Sequence, residues 1–468
     1  MNFINKVGYG IGQMSDGVKQ AAFSTFLIFY YNQVLGLSAS LAGFAALLAL
    51  IADAITDPMV GHISDRFESK FGRRHPFMLA GVVPFALAIY LLFAPPQGLN
   101  EGQLFGWMIG FAIAVRTALT FFYVPHLSLG AELVNGYHER TSLIGYRVFF
   151  TYFGIFLTSA IGFAVFFPPT PEFPNGLLNA ASYPDFGLFC AILASIAMLI
   201  TLLSTRSSIP SLAKAIEPTS KKRTLLSVLE VFRALKIPSF KNLFLVILLF
   251  TSLVGVVQTL LVYVATYVFN FGPQYLAGLA SSFVIGLLFA SYTAQRFAKR
   301  FDKRYSLGLC MFLGSVFGFA PITMHFVGFF NTMAVEPKFL FIFIVNGISQ
   351  IFFIAYMILL DSMLTDVIDE NELTTGNREE GLFFAARAFA QKASFGLGAL
   401  FAGIALDLIK FPKSASPETI TPEVVDKLAL LGGPIMFFLF VATILISKNY
   451  PLTKEKHRLI MEKINTAK

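Results

Sequence analysis

The sequence predicts an all-α membrane protein with twelve transmembrane helices in two six-helix bundles, and three observations lead there. Hydrophobic residues fill 56% of the 468 positions and charged residues only 13%, about half of the ~25% charged fraction of ordinary soluble domains. Apolar runs near the ~20 residues that a helix needs to cross the hydrocarbon layer recur along the whole chain. Lysine and arginine gather in alternate loops between those runs, the asymmetry shown by cytoplasmic loops.

The runs lie at about 7–34, 42–63, 77–94, 104–131, 146–167, 186–205, 243–269, 275–295, 307–329, 339–363, 382–409 and 428–447, with ends uncertain by ~2–4 residues. Loops after the even-numbered spans carry Arg66, Lys70, Arg73 and Arg74, then Arg140, then the series from Arg206 to Lys241, then Arg296, Lys299, Arg300, Lys303 and Arg304. Loops after spans 1, 3, 5 and 7 hold no lysine or arginine. The positive-inside rule therefore puts both termini in the cytoplasm, in a chain that crosses the cell's inner (plasma) membrane many times. The net charge of +8 is a consequence of topology, so the bilayer and not nucleic acid is the expected partner. The protein is expected to be a monomer. Cys190 and Cys310 fall inside apolar runs without metal-ligand spacing and read as small core residues.

The stretch 206–242 is expected to be a cytoplasmic connector between an N-terminal bundle, 1–205, and a C-terminal bundle, 243–449, with a cytoplasmic tail at 450–468. It holds SKKRT, three prolines and LLSVLEVFRALK (Leu225 to Lys236), an amphipathic pattern suited to the inner membrane surface. The basic loop Ala298 to Arg304 after span 8 faintly echoes Gly61 to Arg74 after span 2. A 6+6 repeat suits a transporter that rocks around a midplane site.

Charges inside the spans carry the chemistry, because each costs at least ~2.5–3.5 kcal/mol near the bilayer centre unless paired, hydrated or neutralised. Asp53 lies about eleven residues into span 2, near mid-membrane, and Asp57 follows one turn deeper on the same face. Two carboxylates so placed repel unless a cation joins them. A sodium ion, lithium ion or proton would relieve that repulsion, and Thr56 with Thr120 on span 4 would add oxygens that hard cations prefer. The competing reading pairs the two aspartates with Arg147 or Lys392. Arg116, about thirteen residues into span 4, suits a carboxylate, sulfate or sulfonate on a substrate, or else balances Asp16, Asp53 or Asp57. His126 and His325 read as core histidines before proton shuttles. Nothing assembles a nucleophile with its base, a metal cluster or a phosphate-binding loop, so neither an enzyme, a cofactor nor ATP-driven transport is expected.

The loop GHISDRFESKFGRR (Gly61 to Arg74) resembles the signature of the major facilitator superfamily, Gly-x-x-x-Asp-Arg followed by Gly-Arg-Arg, with three extra residues between its halves. DAITDP (Asp53 to Pro58), ERTSLIGYR (Glu139 to Arg147), DVIDENE (Asp366 to Glu372) and Lys392 in AFAQKASFG resemble the glycoside-pentoside-hexuronide:cation symporters, in order over nearly the whole chain. That resemblance implies the major facilitator fold and symport of a sugar, glycoside or uronide with Na+ or H+ by alternating access. It implies a cation site at Asp53, Thr56, Asp57 and Thr120. It also implies a substrate site from Asp16, Tyr123, Arg147 and Lys392, to which Arg116 is added, and a cytoplasmic gate of Asp65, Arg66, Arg73 and Arg74. Two departures matter. Thr56 stands where the resembled motif has asparagine, which leaves sodium and proton both open. Tyr123 and Leu127 replace a sugar-gripping aspartate and a stacking tryptophan, which withholds a galactoside specificity and keeps a cation-coupled carrier of lysolipids or other amphiphiles as the alternative.

Overall fold

The computed structural model describes residues 3–134, 137–211, 234–376, 379–415, 417 and 419–467, and every regular element among them is helical. The helices are α1 (Phe3–Ile11), α2 (Met14–Ala21), α3 (Ala39–Arg66), α4 (His75–Phe93), α5 (Glu101–Leu133), α6 (Tyr137–Ile161) and α7 (Ser182–Thr205). They continue as α8 (Pro238–Tyr263), α9 (Pro273–Arg300), α10 (Lys303–Phe326), α11 (Val335–Thr375), α12 (Glu380–Leu408), α13 (Pro422–Leu430), α14 (Met436–Ser447) and α15 (Lys454–Ala467). Eleven helical segments among the described residues are long and apolar enough to cross a membrane. Most of the amphipathic stretch Leu225 to Lys236 lies outside the described residues.

The expected first span departs from a regular helix. It runs as α1 and α2, continued by π-helical stretches at Ala22–Leu27 and Tyr30–Val34, so the chain is helical without a break from Met14 to Val34. The one break, between α1 and α2, falls at Gly12 and Gln13, where glycine's freedom disfavours a helix interior. Such π-turns are frequent where a helix carries function.

Packing sets the helices in two clusters. In one, α4 lies against α5 and α7, α3 against α5, and α6 and α7 hold the first span; in the other, α8 packs on α12 and α14, and α11 on α9 and α10. The clusters meet where α3 lies on α12 and α6 on α9. Side chains such as Leu203, Leu288 and Phe438 stay outward and exposed, as a surface solvated by lipid requires.

Hydrogen bonds mark two ends of the bundle. At the near end, the Thr201 hydroxyl donates to the Gly8 carbonyl at 2.8 Å, and the backbone of Lys454 donates to Asp302 Oδ2 at 2.9 Å, which places α1 and the start of α15 there. At the far end, the Tyr31 hydroxyl donates to the Leu92 carbonyl at 2.8 Å and Tyr30 stacks on Tyr183 with centroids 3.8 Å apart.

α3 and α12 approach each other most closely towards the far end. A Cβ on Gly43 would stand 2.6 Å from the Ala399 carbonyl oxygen, and one on Gly403 would meet the Ala39 carbonyl more closely still. No side chain fits such gaps, so the two helices touch backbone to backbone. Gly403→Val is expected to destabilise the fold by about 1–3 kcal/mol through overpacking, read as a lower unfolding midpoint in detergent; an unchanged midpoint would show that the contact yields freely.

Candidate functional site

α3 turns Asp53 and Asp57 to one face by their i,i+4 spacing, and α5 does the same with Arg116 and Thr120. Because α3 packs on α5, the two faces meet. Arg116 Nη1 donates to Asp53 Oδ2 at 2.5 Å, and its guanidinium lies over the Phe23 ring, 5.0 Å from the centroid. The Thr120 hydroxyl donates to Asp57 Oδ1 at 2.8 Å, with the Arg116 carbonyl an alternative acceptor at 3.1 Å, and the Thr56 hydroxyl stands 3.5 Å from that of Thr120. From the second cluster, α12 contributes Lys392, whose Nζ reaches Asp57 Oδ2 at 2.5 Å and lies 5.7 Å from the Tyr123 ring centroid.

The two aspartates differ in their access to water. The Asp53 and Arg116 side chains are 8% and 10% exposed, whereas Asp57 and Lys392 are 22% and 45% exposed. The first pair is dry, and separating it would strand a charge. The second pair is exposed, and its partners can exchange for others at lower cost.

Asp16 is bound within its own helix. Lys19 Nζ lies 2.8 Å from its Oδ1, and the Gln20 amide donates to Oδ2 at 2.6 Å. Sequence reasoning missed Lys19, although its i,i+3 spacing from Asp16 was visible. Arg147 lies beside the Tyr9 hydroxyl with no carboxylate in ion-pair contact among the described residues. Asp16, Asp53 and Asp57 thus each hold one cation.

At the near end, Arg74 pairs with Asp65, donates from Nε to Glu132 Oε1 at 3.1 Å and from Nη1 to Ser64 Oγ at 2.9 Å. Arg73 Nη2 donates to the same Glu132 oxygen at 2.7 Å. These bonds tie together α3, the start of α4 and the end of α5, with Glu132 as the hub. Arg66 is exposed and stands outside this network.

Elsewhere at the near end, Lys303 Nζ donates to both Asp366 oxygens at 2.8 and 2.7 Å, and His457 on α15 lies 3.0 Å from Asp369 Oδ2. Asp366, Asp369 and His457 bring three ligand-type atoms within 4.8 Å of one another. The Lys303 ammonium already occupies Asp366, so ion pairing accounts for the cluster. His126 sits in the core, 2.9 Å from the Tyr9 carbonyl and stacked on Tyr9 and Phe122.

The chain is similar to transporters over nearly its full length. An uncharacterized symporter, sll1374, from Synechocystis is 25% identical, covering 99% of this chain and 97% of that protein. The lactose permease of Lactobacillus delbrueckii is 24% identical over 99% and 72%, and the isoprimeverose transporter of Lactiplantibacillus pentosus is 25% identical over 86% and 79%. Among solved structures, a D-xylose-proton symporter superimposes with a TM-score of 0.61 at 16% identity, covering 96% of this chain and 97% of the other. The nucleoside transporter NupG gives 0.60 at 12% identity over 95% and 99%. The family described as MFS/sugar transport protein matches residues 8–454, and the chain therefore belongs to that family, within the major facilitator superfamily.

Proposed function

We propose that the protein is a cation-coupled symporter that carries a sugar, glycoside or uronide across the inner membrane by alternating access. The observation that supports this most is the pairing of a dry ion pair, Asp53–Arg116, with an exposed one, Asp57–Lys392, on adjacent turns. Arg116 remains on Asp53 as fixed charge balance. An entering cation takes the place of Lys392 at Asp57. Thr120 and Thr56 turn hydroxyl oxygens to a sodium ion there, whereas a proton needs only the Asp57 carboxyl.

The displaced Lys392 ammonium then becomes a donor for substrate hydroxyls or a carboxylate, so cation and substrate favour each other's binding. Asp16, Tyr123 and Arg147 complete the substrate site around it. In this reading bundles 1–205 and 243–449 rock about that site, joined by the connector 206–242, while the tail 450–468 and both termini face the cytoplasm with the near end. The printed names of the lactose and isoprimeverose relatives support a sugar-type cargo.

Counterflow of labelled sugars in vesicles, with sodium and pH varied, tests the proposal. Exchange of at least one sugar, stimulated by sodium or by acid, is expected; no exchange of any sugar under any condition would overturn it.

A further inference from the structure

The far end is closed by bonds between the two clusters. The Tyr263 hydroxyl donates to Asn32 Oδ1 at 2.9 Å, the Tyr267 hydroxyl to Gln33 Oε1 at 2.8 Å, and the Gln33 amide to the Pro412 carbonyl at 3.2 Å. These are neutral contacts. A charged one stands beside them at the start of α3.

A helix begins with backbone N–H groups that lack partners within the helix. Ser38 precedes α3 in the capping position, yet its side chain makes no capping bond. The cap comes instead from the other cluster: the Ala39 N–H donates to Asp407 Oδ1 at 3.2 Å and the Ser40 N–H to Asp407 Oδ2 at 2.9 Å, across 368 and 367 residues of sequence. Asp407 lies in the last turn of α12, just beyond the Gly43 and Gly403 contacts that bring the two backbones together. Its negative charge also faces the positive end of the α3 dipole. The neighbouring Ser38 N–H goes to Glu101 Oε1 at 3.1 Å, and Lys413 Nζ lies 2.7 Å from that same oxygen.

We propose that Asp407 is the latch of the far-end gate, a positioning residue whose cap on α3 must break before substrate can enter or leave there. The inference rests on the alternating-access reading. Opening the far end separates α3 from α12 at this point and returns both the two N–H groups and the carboxylate to water. The cap is therefore made in one state of the cycle only, and it weights the balance towards far-end closure.

A cysteine in place of Ala46, a buried residue on α3, reports the opening. A membrane-impermeant maleimide is applied from the side opposite the termini; Cys190 and Cys310 are fully buried and stay silent. Asp407→Ala in the Ala46→Cys background is expected to speed labelling about tenfold, the scale of a lost helix cap. Asp407→Asn, whose amide oxygen can accept from only one of the two N–H groups, is expected to speed labelling by a smaller factor, about threefold. Labelling of the alanine variant at the parent rate overturns the latch, and so does equal acceleration by both variants. Counterflow on the same vesicles separates the premises: accelerated labelling with no sugar exchanged keeps the latch and removes the symport reading.

Discussion

Arg116→Gln is expected to destabilise the protein by about 3–5 kcal/mol, because it strands the Asp53 carboxylate in a setting that is only 8% exposed. The counterpart Asp53→Asn leaves the guanidinium without its anion and over the Phe23 ring, and a loss of similar size is expected. The double variant removes both charges together. It is expected to recover most of the loss, since an uncharged pair of like shape carries no buried charge to desolvate. Unfolding midpoints of the four proteins in one detergent complete the cycle. If the single and double variants are equally destabilised, the pair is not a coupled unit and Arg116 does some other work.

Asp57 is expected to behave in the opposite way. Its partner Lys392 is 45% exposed, so Asp57→Asn should change stability little, on the scale of about 0–1 kcal/mol for an exposed pair. The expected loss is in coupling. Where a bound cation raises substrate affinity by a factor typical of linked sites, about 5–150-fold, Asp57→Asn is expected to bring that factor close to one. Lys392→Gln removes the ammonium that competes with the cation for Asp57. It is expected to strengthen cation binding while weakening substrate binding, a split that simple damage to the fold does not produce. Substrate binding measured across a cation titration checks both variants, and preserved cation stimulation in Asp57→Asn would move the cation site elsewhere.

The spacing of residues made several parts of the site legible beforehand. Asp53 and Asp57 one turn apart, and Arg116 and Thr120 one turn apart, share faces by helical periodicity alone. The cost of charge in an apolar run marked them as places where something must compensate. Lys19 is equally readable, one turn from Asp16 on the same helix. The first apolar run is helical as its hydropathy implies, but its break at Gly12 and its π-helical stretches are invisible to apolar content averaged over a window.

What the sequence alone determined is the membrane class, the places of the apolar runs, and which ionisable groups lie within them. These follow from local composition and from the 3.6-residue turn, both properties of contiguous chain. Only the tertiary structure decided the partners. Arg116 sits on Asp53 while Lys392, 335 residues from Asp57, holds that aspartate; Glu132 gathers Arg73 and Arg74; and Asp407 caps a helix of the opposite cluster. Each of these pairings depends on how far one helix is rotated and slid against another, and a few ångströms of that displacement decide which carboxylate a cation can reach.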